Sequence, residues 1–169
     1  MSELLSRERL QPSLLDRLTD QAPDARRENL DQQTLSLQQL RQAVLRDLAW
    51  LLNTTNLAAL EDLSRFPRAA RSTVNFGIPG FAGMAGTRDR LAGLEGGIAD
   101  AIRTYEPRIR PESLKVRLRE QTEDNSAALL IFEIEGELWA QPVPQQLFLE
   151  TAIEVETGLA VVSDMRTRG

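Results

Sequence analysis

The chain has 169 residues, a net charge of −5, and neither cysteine nor histidine. Such a length supports one domain with a real core plus arms. The missing residue types exclude disulfides, thiolate chemistry, most zinc sites and every histidine-based general base.

The acidic balance argues against nonspecific DNA binding, which needs a basic surface. Positive charge is almost all arginine, with Lys115 the only lysine. No apolar run approaches the roughly 20 residues that span a bilayer, and Met1–Arg7 shows no apolar signal region. The expectation is a cytoplasmic protein that neither inserts into a membrane nor binds nucleic acid.

Residues 1–35 read as an arm, with Leu10, Leu14, Leu15 and Leu18 at the spacing of a short amphipathic helix. Residues 36–169 read as a single domain. Ser36 is placed to cap a first long helix whose apolar seam is Leu37, Leu40, Val44, Leu48 and Leu51. Arg41, Gln42, Arg46 and Asp47 flank that seam, Trp50 lies near its edge, and the helix is expected to end near Asn53. Residues 55–85 look irregular. Ser72–Gly83 reads as a short extended piece and a glycine-rich loop pegged by Phe76, Ile78 and Phe81. Its glycines have neither dinucleotide-site nor phosphate-loop spacing. Thr87 caps a second long helix whose stripe is Leu91, Leu94, Ile98, Ala101, Ile102 and Tyr105. Gly93, Gly96 and Gly97 interrupt it, which suggests close backbone contact with the first helix.

Beyond residue 110 the apolar period changes from 3.6 to 2. Leu114, Val116 and Leu118 alternate with basic residues. Phe132 and Ile134 alternate with glutamates, as do Leu147, Leu149, Thr151, Ile153 and Val155. These are three half-buried strands, punctuated by Gly136 and Pro142-Val143-Pro144, and opposite charges favour pairing the first with an acidic neighbour. The expected fold is α+β: an N-terminal arm and two main helices packed on a small antiparallel C-terminal sheet. The apolar residues Ala160, Val161 and Val162 have two readings: the segment ending at Gly158 is an open edge that accepts a partner strand, or these residues close the sheet internally.

Between the second helix and the strands lies Tyr105-Glu106-Pro107-Arg108-Ile109. Pro107 steers Glu106 out of helical geometry and supplies no amide donor. The reading is an exposed, rigid, charged corner. Together with Pro12–Leu18, Leu45–Thr54 and Ser72–Pro79, this stretch resembles the TssE family, the baseplate subunit of the bacterial type VI secretion system. That family is similar to the lysozyme-like wedge protein of contractile-phage baseplates. The likeness covers about residues 10 to 158, departing from the usual pattern at Thr55 and Gly80.

The resemblance implies a cytoplasmic structural subunit without catalysis or cofactor. It implies that the chain joins wedge proteins TssF, TssG and TssK to the tail and templates the first ring of sheath proteins TssB and TssC. It further implies that Glu106, Pro107 and Arg108 hold the wedge contact. The residues themselves agree that catalysis is absent. A glycosidase needs two opposed carboxylates, one of them buried and unpaired. Glu106 is flanked by Arg108 and Arg110, and the strand glutamates alternate as a solvated face does. A phage-like tail wedge, or a regulatory adaptor of the same fold, would carry similar features.

Overall fold

A computed structural model describes Asp16, Leu18 and residues 37–80, 88–119, 129–139, 144–154 and 156–165. The arm leucines Leu10, Leu14 and Leu15, the expected caps Ser36 and Thr87, Phe81, Gly83, Pro142, Val143, Val155 and the side chain of Leu91 fall outside them.

Helix α1 spans Leu37–Leu52 and buries Leu40, Ala43, Val44, Leu48, Leu51 and Leu52. This is the expected seam, except that Leu37 at its start is exposed. Trp50 is exposed too, with the Arg46 guanidinium 5.2 Å from its ring centroid. A one-turn helix, α2, spans Pro67–Ala70, between 3-10 turns at Leu57–Ala59 and Thr73–Asn75. Helix α3 spans Arg88–Tyr105 and buries Leu94, Ile98, Ala101 and Ile102. Gly97 in it does sit against a neighbour, but the neighbour is the Pro79 ring, not α1. Gly93 and Gly96 face open space.

Four strands follow rather than three: β1 Lys115–Leu118, β2 Leu129–Leu138, β3 Gln145–Glu154 and β4 Ala160–Asp164. They form one antiparallel sheet in the order β1-β2-β3-β4. Thus β3, the open edge on one of the two readings, is interior, and the apolar Ala160–Val162 run is the edge strand itself. The basic β1 pairs with the acidic β2 as its charges suggested, with Lys115 opposite Glu135 and Arg117 opposite Glu133. Glu133 also faces Glu150 across β2 and β3. That like-charge pair is resolved by Arg119, whose Nη2 lies 2.8 Å from each carboxylate. Gly136, expected to break a strand, lies inside β2 opposite Leu147. A Cβ there would meet Ile109 Cγ2 at 2.9 Å, so glycine opens room for that core side chain.

The core lies between the two long helices and one sheet face. Val44, Leu48, Ile98 and Ile102 pack with Phe132, Ile134, Leu147, Leu149 and Ile153. This is an α+β domain, as the change of period indicated. Helix α1 runs along β4 and is pinned at both ends. Arg41 Nε donates to Asp164 Oδ2 at 2.6 Å, and the Asn53 amide exchanges two bonds with the Ala160 backbone, at 2.8 and 2.9 Å.

Candidate functional site

The corner at the end of α3 differs from the sequence expectation in one respect that decides its chemistry. Glu106 is buried, at 3% exposure. Its backbone continues the helical bonding, with Glu106 N–H donating to Ile102 O at 2.9 Å. Pro107 then turns the chain outward, and residues 108–110 run antiparallel to the end of β2. Trp139 N–H donates to Arg108 O at 2.7 Å, and Arg110 N–H to Glu137 O at 2.9 Å. Ile109, between these bonds, is buried beside Gly136. The corner is therefore clamped on both flanks, and of residues 106–110 only Pro107 and Arg110 are exposed.

Arg108 folds back over this clamp. Its Nε donates to Glu106 Oε1 at 2.6 Å, and its Nη2 bonds both Glu106 Oε2 and Asp47 Oδ2. The Arg108 backbone N–H also donates to Glu106 Oε1, at 3.2 Å. Burial opposes the guanidinium charge. The bonds and charges of Glu106, then of Asp47, outweigh it and hold the proton more firmly than in free arginine. Nη1 of Arg108 is buried without a partner. The exposed ion pair foreseen from the sequence is instead a partly buried, bidentate lock between α3 and α1.

The lock extends. Asp47 accepts from Arg46 Nε at 2.8 Å, and Arg46 Nη1 donates to Asp16 Oδ1 at 2.7 Å. A chain of alternating charge thus runs Asp16, Arg46, Asp47, Arg108, Glu106. It ties the arm segment to α1 and α1 to the corner, so the arm packs on its own domain at this point. The flanks of the helix seam do the binding: Arg41, Arg46 and Asp47 are all in ion pairs.

Two neutral contacts join the corner to the Ser72–Pro79 stretch. The Tyr105 hydroxyl donates to Ser72 O at 2.9 Å, and its ring meets Phe76 edge-on at 5.3 Å between centroids. Ser72 caps a 3-10 turn where an extended piece was expected. The extended bonding is limited to Thr55 and Ile78. Gly77 follows at φ +124°, where a Cβ would lie 2.3 Å from Thr54 O. Only glycine fits that approach.

Sequence reasoning missed Asn75, the buried hinge of this region. Its Oδ1 accepts from Ala58 N–H at 2.8 Å, and its Nδ2 donates to Ala70 O at 2.9 Å. An Asn in a loop of small and polar residues has many readings, and nothing local marks this one.

The carboxylates of the corner and of the sheet face are in ion pairs. Glu106 and Asp47 are held by Arg108, and Glu133 and Glu150 by Arg119. Among the described residues no group has the make-up of a metal site, and no helix is long and apolar enough to cross a membrane. An ion-pair lattice of this kind fixes the relative positions of the arm segment, α1, the corner and the sheet.

The baseplate wedge protein gp25 family matches residues 38–143, and the chain belongs to that family. A structural role in a baseplate follows from that membership. Among solved structures, one titled "The baseplate complex from the type VI secretion system" has a chain similar to this one. The TM-score is 0.47 and the identity 19%, over 69% of this chain and 96% of that one. No curated protein matches.

Proposed function

We propose that this chain is the TssE-type subunit of a type VI secretion baseplate, a cytoplasmic and non-catalytic part. In this reading it joins the TssF, TssG and TssK wedge to the tail and starts the first ring of TssB and TssC sheath. The observation that carries it is the convergence of the four segments with TssE resemblance. Pro12–Leu18 reaches Leu45–Thr54 through Asp16 and Arg46. Leu45–Thr54 reaches the corner through Asp47 and Arg108, and the corner reaches Ser72–Pro79 through Tyr105. Segments scattered along 169 residues form one connected network, as a shared architecture requires.

Within that reading Glu106, Pro107 and Arg108 contribute to the wedge contact in different ways. Pro107 is the exposed member and touches the partner. Glu106 and Arg108 hold it in place from below. The sheath contact falls to a sheet edge by β-augmentation, and β4 is the more apolar edge, with Leu159, Val161 and Met165 exposed. The test is co-purification of the full chain with TssF, TssG and TssK, alongside imaging of sheath assembly in a strain lacking the gene. The expected result is a wedge complex and restored sheaths. Recovery of neither, with soluble folded protein in hand, sinks the reading.

A further inference from the structure

Residues 57–75 form a lobe that packs on little but itself. None of its helical turns buries a residue except Asn75. It is nevertheless well tied. Asn75 closes it from within, Asp62 accepts from Ser64 N–H at 2.9 Å, and Ser72 Oγ donates to Ala69 O at 2.9 Å. On this braced frame Leu60, Phe66 and Val74 are 78%, 60% and 67% exposed. Single exposed apolar side chains are ordinary. Three large ones on one short, braced lobe are the composition of a contact surface.

The lobe's charges point to the partner. Arg65, Arg68 and Arg71 are exposed and, among the described residues, have no ion-pair partner. This contrasts with Arg41, Arg46, Arg108 and Arg119, which are all paired. Glu61 and Asp62, the latter hydrogen-bonded to Ser64, offset two of the lobe's three positive charges, which leaves the lobe weakly basic on a chain of net charge −5. An open groove of about 440 Å³ lies beside Leu63, Pro67 and Arg71, with Glu61 and Asp62 also on its wall, so the carboxylate contacts fall to the arginines outside it, Arg65 and Arg68, and to Arg71 at its rim.

We infer that this lobe is a docking surface for an acidic, apolar-anchored segment of another protein, with Phe66 as the central contact and Arg65, Arg68 and Arg71 pairing its carboxylates. Arginine suits this work because its planar fork meets carboxylates two bonds at a time. A polyanion such as nucleic acid would feel the whole chain, whose net charge repels it. The inference does not depend on which contractile machine the chain serves.

The test places p-benzoylphenylalanine at position 66 of the full chain in its native host, and at exposed Glu112 as a control. The expected outcome is a light-dependent adduct from position 66, mapped to a protein segment with apolar residues and Asp or Glu. The adduct should fall at least tenfold with Arg68→Glu plus Arg71→Glu and return when the mapped carboxylates are changed to arginine. An unchanged yield, a segment without carboxylates, or no adduct at position 66 overturns the proposal. So does charge-dependent binding to phosphatidylglycerol vesicles or to a single-stranded DNA oligonucleotide, tested in parallel on the purified protein. Thermal melting confirms that the charge-reversed chain is folded; if it is not, Arg68→Gln plus Arg71→Gln takes its place with the same readings. An acidic partner that is not a baseplate protein would support the surface and count against the type VI reading alone.

Discussion

The corner at Glu106–Arg108 and the lobe at residues 57–75 use the same residue types for opposite ends. At the corner, one arginine spans two carboxylates and little of the charge faces water. On the lobe, three exposed arginines lack an ion-pair partner among the described residues and stand near exposed apolar side chains in the sequence. A polar group whose partners lie within the fold contributes to the fold; one whose partners are missing is available to something else. The two regions touch through Tyr105, whose neighbour in sequence is Glu106. A change at the corner therefore reaches the lobe, so loss of assembly in a corner variant does not by itself locate the interface.

The largest expected effect tests the internal half of this contrast. Arg108→Ala leaves Glu106 buried and unpaired, which costs about 3 to 5 kcal/mol when one partner of a buried pair is removed. This reverses the expectation drawn from the sequence, where an exposed pair would contribute roughly 0 to 1 kcal/mol. Urea unfolding of Arg108→Ala beside Arg68→Ala measures it. If both lose the same stability, corner and lobe are not different environments.

The next effect concerns the sheet edges, where the same distinction recurs. The Ala160 backbone on β4 is occupied by the Asn53 amide, and Leu118 N–H on β1 donates to Glu95 Oε1 at 2.6 Å. Each outer edge is blunted by one side chain, Asn53 just after α1 and Glu95 on α3, a recognised guard against unwanted pairing. Antiparallel alternation leaves Val162 on β4 and Val116 on β1 with outward backbone groups. Asn53→Ala removes three bonds, two with the Ala160 backbone and one to Ala49 O, and should cost about 1 to 3 kcal/mol. It should also raise the dimer fraction in size-exclusion chromatography, by freeing the apolar edge. A strictly monomeric variant would show that Asn53 supports α1 without guarding β4.

A smaller effect tests the external half. Phe66→Ala should change stability by less than about 0.5 kcal/mol, because its side chain is exposed and packs on no core element. A loss above that by calorimetry would make Phe66 part of the fold and remove it as a contact residue.

Much of this arrangement was legible in the sequence, and the gaps have physical causes. The periods of α1, α3, β1, β2 and β3 are set by burial on one face, so they appear directly in the spacing of Leu48, Ile102, Phe132 and Leu149. Strand β4 is only five residues with one buried apolar side chain, Ala160, and offered too little pattern. Glu106 was placed correctly at the helix end, yet its burial depends on Asp47, Arg108 and Ile109 meeting there. Those contacts join residues 61 positions apart, which no local pattern encodes. Asn75 shows the same limit more sharply, since its partners Ala58 and Ala70 contribute only backbone groups, and backbone groups carry no residue signature.

The smallest expected effect tests the link between the two regions. Tyr105 is the chain's single tyrosine, so phenolate absorbance reports it alone. Burial raises its pKa above the usual value near 10, and its proton is the one donated to Ser72 O. The folded protein thus holds this proton more tightly than the unfolded chain does. That share of stability is complete below about pH 10 and is lost as the pH rises through the folded value. A titration should place the native midpoint above the midpoint in denaturant. Subtracting the pH–stability curve of Tyr105→Phe from that of the parent should leave a decline confined to this alkaline window. A native midpoint at or below that of the unfolded chain would mean that the hydroxyl is solvated, and the corner would then have lost its polar tie to the lobe.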